Sequence, residues 1–315
     1  MSEIDRAILA TAESQENFED FLSLIEKKYP DPKEKALLLS EIGKVLLDNL
    51  KYKFAVLSWK RALVFYIKTG DKLGEAQTYV NLGYAEYFLD DLKVALTYLE
   101  KALETQIQDK MILAKSYLNI GNVYSNLNMF EKALKNYEQA LAITIETKDK
   151  IGESLAIGNI GVIYRNIGDL TKAVKYQKEA LEIALQIGNR AGQAKGYINL
   201  GDIYHSLEDN EKAIEYYKKS LSLATEICDR TLQSACYVAI GDVNVTQKDF
   251  EAAKSNYRKA LEIALEIGDK STEAACYSAL GAIYGNLGDS KKAKTYYEMA
   301  LESSKQIGQA GEIKS

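Results

Sequence analysis

Few side chains in this sequence could run a reaction. There is one histidine, His205, and there are three cysteines, Cys228, Cys236 and Cys276. No His, Cys, Asp or Glu set stands at metal-ligand spacing, and no glycine-rich phosphate loop follows a strand pattern. Cys236 and Cys276 are 40 residues apart, at equivalent core-facing positions, and read as structural thiols. The sequence therefore points to no catalytic residue, no metal ligand and no cofactor. What it does hold is a recurring amide. Asn81, Asn119, Asn159 and Asn199 each stand two residues before a glycine. Asparagine is a poor mid-helix residue, so four in register suggest a selected role. A carboxamide both donates and accepts, which suits pairing with the backbone of an extended peptide. The same amides could bond to one another and fix a stack of helices. The next two positions in the series are Ala239 and Ala279, and the first is Glu41.

Other residues on the same helical stripes would give such a surface its character. Tyr84, Tyr87 and Phe88 form an aromatic patch able to anchor an apolar side chain, with core packing as the competing account of Phe88. Lys115, Asn122, Arg165, Asn166 and Lys195 make a basic, amide-rich stretch suited to carboxylates. Arg165 is the best single candidate, because a planar guanidinium can grip a carboxylate through two parallel bonds. Asp202, His205 and Asp242 then turn the lining acidic. A bound peptide would meet apolar, then basic, then acidic surface.

These residues are placed by a repeat. The glycines Gly43, Gly83, Gly121, Gly161, Gly201, Gly241 and Gly281 recur at a spacing of 40 residues, with one interval of 38. Twelve residues after each comes an alanine, from Ala55 to Ala293, and seven further on Ala62, Ala102, Ala140, Ala180, Ser220, Ala260 and Ala300. Within one period, Ile157, Ile160, Gly161 and Tyr164 mark one helix face, and Ala173, Tyr176, Ala180, Ile183 and Ala184 mark a second. An Asp or Asn followed by a base opens almost every period, as at Asp149-Lys150 and Asn189-Arg190, and can cap the first turn. Gly70, Gly188 and Gly268 close the preceding helix. Ile167-Gly168-Asp169 and Leu287-Gly288-Asp289 turn the chain between the two helices. Small residues let the paired helices approach, and Tyr164 and Leu181 fill the space that remains. One helix pair cannot bury such a face alone, so pairs must stack into a solenoid.

The pattern Tyr117, Ile120, Gly121, Tyr124, Ala133, Tyr137 and Ala140 resembles the tetratricopeptide repeat. The 40-residue period lacks the proline that closes the common form and is similar to the variant of LGN-type spindle adaptors. More loosely it resembles kinesin light chains and bacterial peptide-receptor regulators. The resemblance covers about residues 33–308. It implies an all-α, right-handed α-solenoid whose first helices line a concave groove, with groove asparagines holding a peptide backbone.

Seven units are expected, at 33–70, 71–108, 109–148, 149–188, 189–228, 229–268 and 269–308. Residues 1–32 form a helical cap or degenerate repeat, set off by Pro30 and Pro32, and 309–315 a polar tail. Ile4, Ile8, Leu9, Phe18, Phe21, Leu22, Leu24 and Ile25 would cover the open first face. The unit at 71–108 is two residues short at the end of its second helix, which predicts a local change of superhelical curvature. The net charge is −5 and no block of Lys and Arg stands out, which argues against nucleic acid. There is no signal-peptide pattern and no long uncharged apolar stretch, so the expectation is a cytoplasmic protein that binds no membrane. Two functions fit: a non-catalytic scaffold binding a peptide segment of a partner, or a regulatory sensor of a short free peptide. Homo-oligomerisation through exposed terminal units is compatible with both. Three intervals of about 10 Å between neighbouring first helices span roughly nine extended residues at about 3.3 Å each.

Overall fold

The structure is a computed structural model. It describes residues 8, 10–12, 14–105 and 107–312, with side chains as far as Gln306. Ile4 and Leu9 of the expected cap lie outside the described residues. Among the described residues there are helices and turns and no strand. The chain divides into two compact units, residues 1–159 and 160–315.

The first unit begins with α1 (Gln15–Lys28), followed by the pairs α2 (Pro32–Asp48) with α3 (Tyr52–Thr69), α4 (Lys72–Phe88) with α5 (Leu92–Glu104), and α6 (Lys110–Asn126) with α7 (Phe130–Thr147). The unit boundary falls inside α8 (Lys150–Asn166). The second unit continues with α9 (Leu170–Gln186), then the pairs α10 (Arg190–Ser206) with α11 (Asn210–Glu226), α12 (Arg230–Thr246) with α13 (Phe250–Ile267), and α14 (Lys270–Asn286) with α15 (Ser290–Glu312). The last helix thus runs on through most of the segment expected as a polar tail.

Local chemistry explains these bounds. The carboxylates of Asp71, Asp109, Asp149, Asp229 and Asp269 and the amide of Asn189 accept from backbone N–H groups in the first turn of each first helix. Asp91, Asp169, Asp209, Asp249 and Asp289 cap second helices in the same way. Such a cap is worth about 1 kcal/mol. The base after each cap has two fates. Lys72, Lys150 and Lys270 pair with a glutamate three residues on, Glu75, Glu153 and Glu273. Where that glutamate is missing, Lys110, Arg190 and Arg230 reach the second helix of the pair, at Glu146, Glu226 and Glu266.

The turn inside each pair always has one left-handed residue, seven after the helix glycine. It is glycine at Gly168 and Gly288, as expected, but Leu50, Asp90, Asn128, Glu208 and Lys248 elsewhere. A side chain costs about 1–2 kcal/mol in that conformation, least for Asn and Asp. Leu50→Gly and Glu208→Gly are therefore expected to stabilise the protein by about 1 kcal/mol each. Thermal denaturation tests this; an unchanged or lower midpoint would show that these side chains make compensating contacts.

The small residues mark close approach between helices. A Cβ on Gly121 would lie 2.5 Å from Cε1 of Tyr137, and one on Gly241 would lie 2.9 Å from Cε1 of Tyr257. The partner is always the residue sixteen after the glycine: Trp59, Leu99, Tyr137, Gln177, Tyr217, Tyr257 or Tyr297. Ala173 and Leu181 are buried as expected, and Leu181 packs on Gly196 of the next pair. Tyr164 stacks on Tyr176 with centroids 5.3 Å apart.

Helix α1 packs against the first pair. Phe18 and Leu22 of α1 are fully buried in one cluster with Leu39, Leu46 and Trp59. Phe18 meets Phe54 edge-on at 5.2 Å. Arg61 of α3 holds Glu26 at 2.9 Å and Glu19 at 3.2 Å on α1. The shortened unit appears as a short α5, ending at Glu104.

Cys236 and Cys276 are buried and Cys228 is exposed, none of them in a disulfide. Burial pushes the thiol of Cys236 up to about 11 and that of Cys276 up to about 12, so both stay protonated and inert. The described residues hold no group of His, Cys, Asp and Glu fit for a metal ion. No described helix is long and apolar enough to cross a membrane.

Candidate functional site

In the first unit the amides lie half-buried along the first helices. Asn81 on α4 accepts from Gln77 Nε2 at 2.9 Å. Asn122 on α6 accepts twice on one oxygen, from the hydroxyl of Tyr137 at 2.8 Å and from Asn159 Nδ2 at 3.2 Å. Asn159 therefore links α8 to α6, which is the stacking role weighed against ligand contact. Asn119 differs: half-buried in the middle of α6, it has no side-chain hydrogen bond among the described residues. Lys115, one turn earlier, is exposed and borders an opening of about 360 Å³ with Glu41, Lys44, Gln77 and Met111.

The aromatic patch is present and larger than expected. Phe88 lies 4.9 Å from Tyr84 and 5.3 Å from Tyr87, both edge-on, and stacks on Tyr52 of α3 at 5.0 Å. Phe88 remains 46% exposed, so it is a surface residue and not part of the core. Burial raises the phenol pKa of Tyr84 and of Tyr87, which keeps their O–H groups intact.

In the second unit the charges have found each other. Arg165 pairs with Asp202, whose other oxygen accepts from Tyr217 OH at 2.8 Å. One pair later, Tyr257 OH donates to Asp242 at 2.5 Å. Burial is the main influence on Asp242 and raises its pKa, opposed by that hydroxyl and by nearby His205. Asp242 is exposed as a residue, so its carboxyl is crowded on one side only and the electrostatic effect is screened. Asn199 donates to Gln177 at 3.3 Å. Lys195 and Asn166 are exposed, and His205 lies in the last turn of α10. An opening of about 330 Å³ runs between α10, α12 and α14, bordered by Asp202, Ala239, Asp242 and Thr272. Ala239 stands there in place of the repeating asparagine.

Sequence reasoning missed Tyr52, Tyr137, Gln177, Tyr217 and Tyr257, which contact the candidate residues Phe88, Asn122, Asn199, Asp202 and Asp242. A signal for three of them was in plain view. Wherever the residue after the glycine is Asn122, Asp202 or Asp242, the residue fifteen further on is tyrosine, and its hydroxyl holds that side chain. Burial pushes the pKa of Tyr137, Tyr217 and Tyr257 upward, so each remains a donor. At Val162 there is nothing to hold; Gln177 stands in the tyrosine's place and serves Asn199 instead.

Stacked helix pairs with a glycine-centred packing seam define a helical repeat protein. Sequence models of the tetratricopeptide repeat match residues 76–106, 112–186, 152–226, 192–266 and 233–306, and the chain belongs to that family. Its fold is similar to that of the quorum sensor NprR from B. thuringiensis in its apo form, with TM-score 0.71 and 20% identity over 96% of this chain and 84% of that one. It is also similar to the Rap conjugation gene regulator of the plasmid pLS20 in complex with the Phr* peptide, with TM-score 0.63 and 17% identity over 93% and 94% of the two chains. Uncharacterized protein ycf37 of Guillardia theta is 28% identical over 124 residues, 39% of this chain and 67% of that protein. At these identities the solved structures establish the fold.

Proposed function

We propose that this chain is a non-catalytic scaffold that binds a peptide segment of a partner protein along the first-helix amides. Asn119 carries this reading. A mid-helix asparagine costs about 0.5 kcal/mol or more of helix propensity relative to alanine, and Asn119 recovers none of it through a side-chain hydrogen bond among the described residues. Its neighbours keep free capacity of complementary kinds: among the described residues, Asn81 and Asn122 each have an unused Nδ2, and Asn159 has an unused Oδ1. An extended backbone, alternating N–H and C=O, can satisfy such a row. The Tyr84, Tyr87 and Phe88 patch offers an apolar anchor beside it. In the second unit, Lys195, His205 and the Arg165–Asp202 pair form a separate surface for polar or charged side chains. The proposal includes no nucleic acid, membrane, metal or cofactor, and places the protein in the cytoplasm.

A second reading, a sensor of a short free peptide, is favoured by the fold's likeness to a quorum sensor and to a regulator solved with a peptide. Both readings are tested with peptides selected on the wild-type protein from a random library. Asn119→Ala should keep the helical spectrum and melting temperature and bind those peptides about 10–100-fold more weakly, the loss expected for one or two hydrogen bonds. Equal binding by the folded variant would remove the amide row from the site. Compaction in small-angle scattering on adding the peptide distinguishes the sensor from a rigid scaffold.

A further inference from the structure

Two helix pairs of this chain each carry three clustered tyrosines. In α10 and α11 the ring of Tyr216 lies between Tyr197, at 6.1 Å, and Tyr204, at 5.3 Å. Lys219 stands over Tyr216 and Lys212 over Tyr204, each at 5.2 Å. In α14 and α15 the ring of Tyr296 lies between Tyr277, at 6.3 Å, and Tyr284, at 5.4 Å, with Lys292 over Tyr284. The outer rings stand four before and three after the helix glycine, and the middle ring fifteen after it.

The pair α6 and α7 has the same frame without its centre. Tyr117 and Tyr124 are in the outer positions, and Lys132 stands over Tyr124 at 5.2 Å. The central position is Asn136, whose amide folds back to donate to the carbonyl of Lys132 at 2.8 Å. An opening of about 530 Å³ remains, lined by Tyr117, Tyr124, Lys132, Lys135, Asn136 and Gln139. The pair α12 and α13 also has asparagine at the centre, Asn256, but there Asn244 replaces the outer ring and the two amides bond at 3.0 Å. Of these pairs, α6 and α7 alone keep both outer rings with no ring between them.

We propose that this slot receives an aromatic side chain of a partner protein, flanked in the partner by acidic residues. The chain itself supplies the template, since Tyr216 and Tyr296 show which group fits between two such rings. Offset or tilted stacking adds to area burial for an inserted ring. Charge selects the flanks: Lys132 and Lys135 border the slot and none of the six lining residues is acidic. At 100° per residue, Tyr117 and Tyr124 lie on nearly the opposite side of α6 from Asn119 and Asn122. The slot is thus a second docking surface, independent of the amide row.

The probes are three capped pentapeptides: Asp-Asp-Tyr-Asp-Asp, the same with Leu at the centre, and the same with Lys at the four flanks. Binding to the full chain is followed by NMR titration. The acidic tyrosine peptide should bind, shifting signals of Tyr117 and Tyr124, and each of the others should bind at least about tenfold more weakly. Asn136→Tyr, which supplies the missing ring, should melt no lower than wild type and lose this binding, whereas Asn119→Ala should retain it. The proposal is overturned if wild type binds none of the peptides, if the leucine or lysine peptide binds equally well, or if folded Asn136→Tyr still binds. Failure of the amide row with Asn119→Ala leaves this result untouched, so the two readings fail separately.

Discussion

Trp59→Ala is expected to cost about 3–5 kcal/mol, the usual loss for a large aromatic removed from a core. The side chain is fully buried, and its indole N–H donates to the carbonyl of Ser40 at 3.1 Å. It occupies the space that Gly43 leaves open; a Cβ there would lie 2.6 Å from Cε2 of the ring. Phe18, Leu22, Leu39 and Leu46 complete the same cluster, so the cavity would open where α1 joins the first helix pair. Arg61→Ala provides the comparison. Its contacts with Glu19 and Glu26 are partly exposed, and exposed ion pairs contribute about 0–1 kcal/mol each. Urea denaturation followed by circular dichroism should therefore rank Trp59→Ala well below Arg61→Ala. If the tryptophan variant loses less than about 1 kcal/mol, the cluster can repack and α1 is held by its ion pairs.

The repeat was legible in the sequence because its cause is local. A helix contact too close for a side chain demands a small residue at a fixed place in every pair, so Gly43 to Gly281 and Ala55 to Ala293 keep register. Caps are legible for the same reason, since Asp149 or Asn189 acts within its own first turn. The left-handed turn was readable at Gly168 and hidden at Leu50 and Glu208, where tertiary packing imposes the conformation on residues that do not favour it. The last helix runs on past Gly308, the counterpart of the helix-closing Gly188 and Gly268, into the segment read as a polar tail.

The site was only half legible. The positions of Asn81, Asn119, Asn159 and Asn199 follow from the period, and the structure keeps them on the first helices. What each amide touches depends on how neighbouring pairs are offset, which no single period encodes. Asn159 meeting Asn122, and Arg165 meeting Asp202, are contacts 37 residues apart in the chain. Arg165, singled out as a free grip for a ligand carboxylate, thus has a carboxylate from its own chain. A ligand that uses it must compete with Asp202 or bind the pair as a unit.

Gly121→Leu is expected to cost at least about 3 kcal/mol, at the upper end of overpacking, although leucine is a far better helix former than glycine. Tyr137 is almost fully buried and cannot swing away without giving up its bond to Asn122. That bond also holds the oxygen on which Asn159 rests, so the damage would extend from the α6–α7 seam into the amide row. Tyr137→Ala alone should cost about 3–5 kcal/mol by leaving a cavity. In the double variant the new leucine enters the space of the lost ring, so the two losses should not add. The double should be more stable than the sum of the two losses predicts, with a coupling of at least about 1.5 kcal/mol, as residues in direct contact show. Tyr137→Phe separates packing from bonding: it keeps the ring, removes the hydroxyl, and should cost about 1 kcal/mol. Urea titrations of the four proteins decide the matter. If the losses in the double variant simply add, glycine and ring do not share one space, and the account of why the glycine recurs in every pair is wrong.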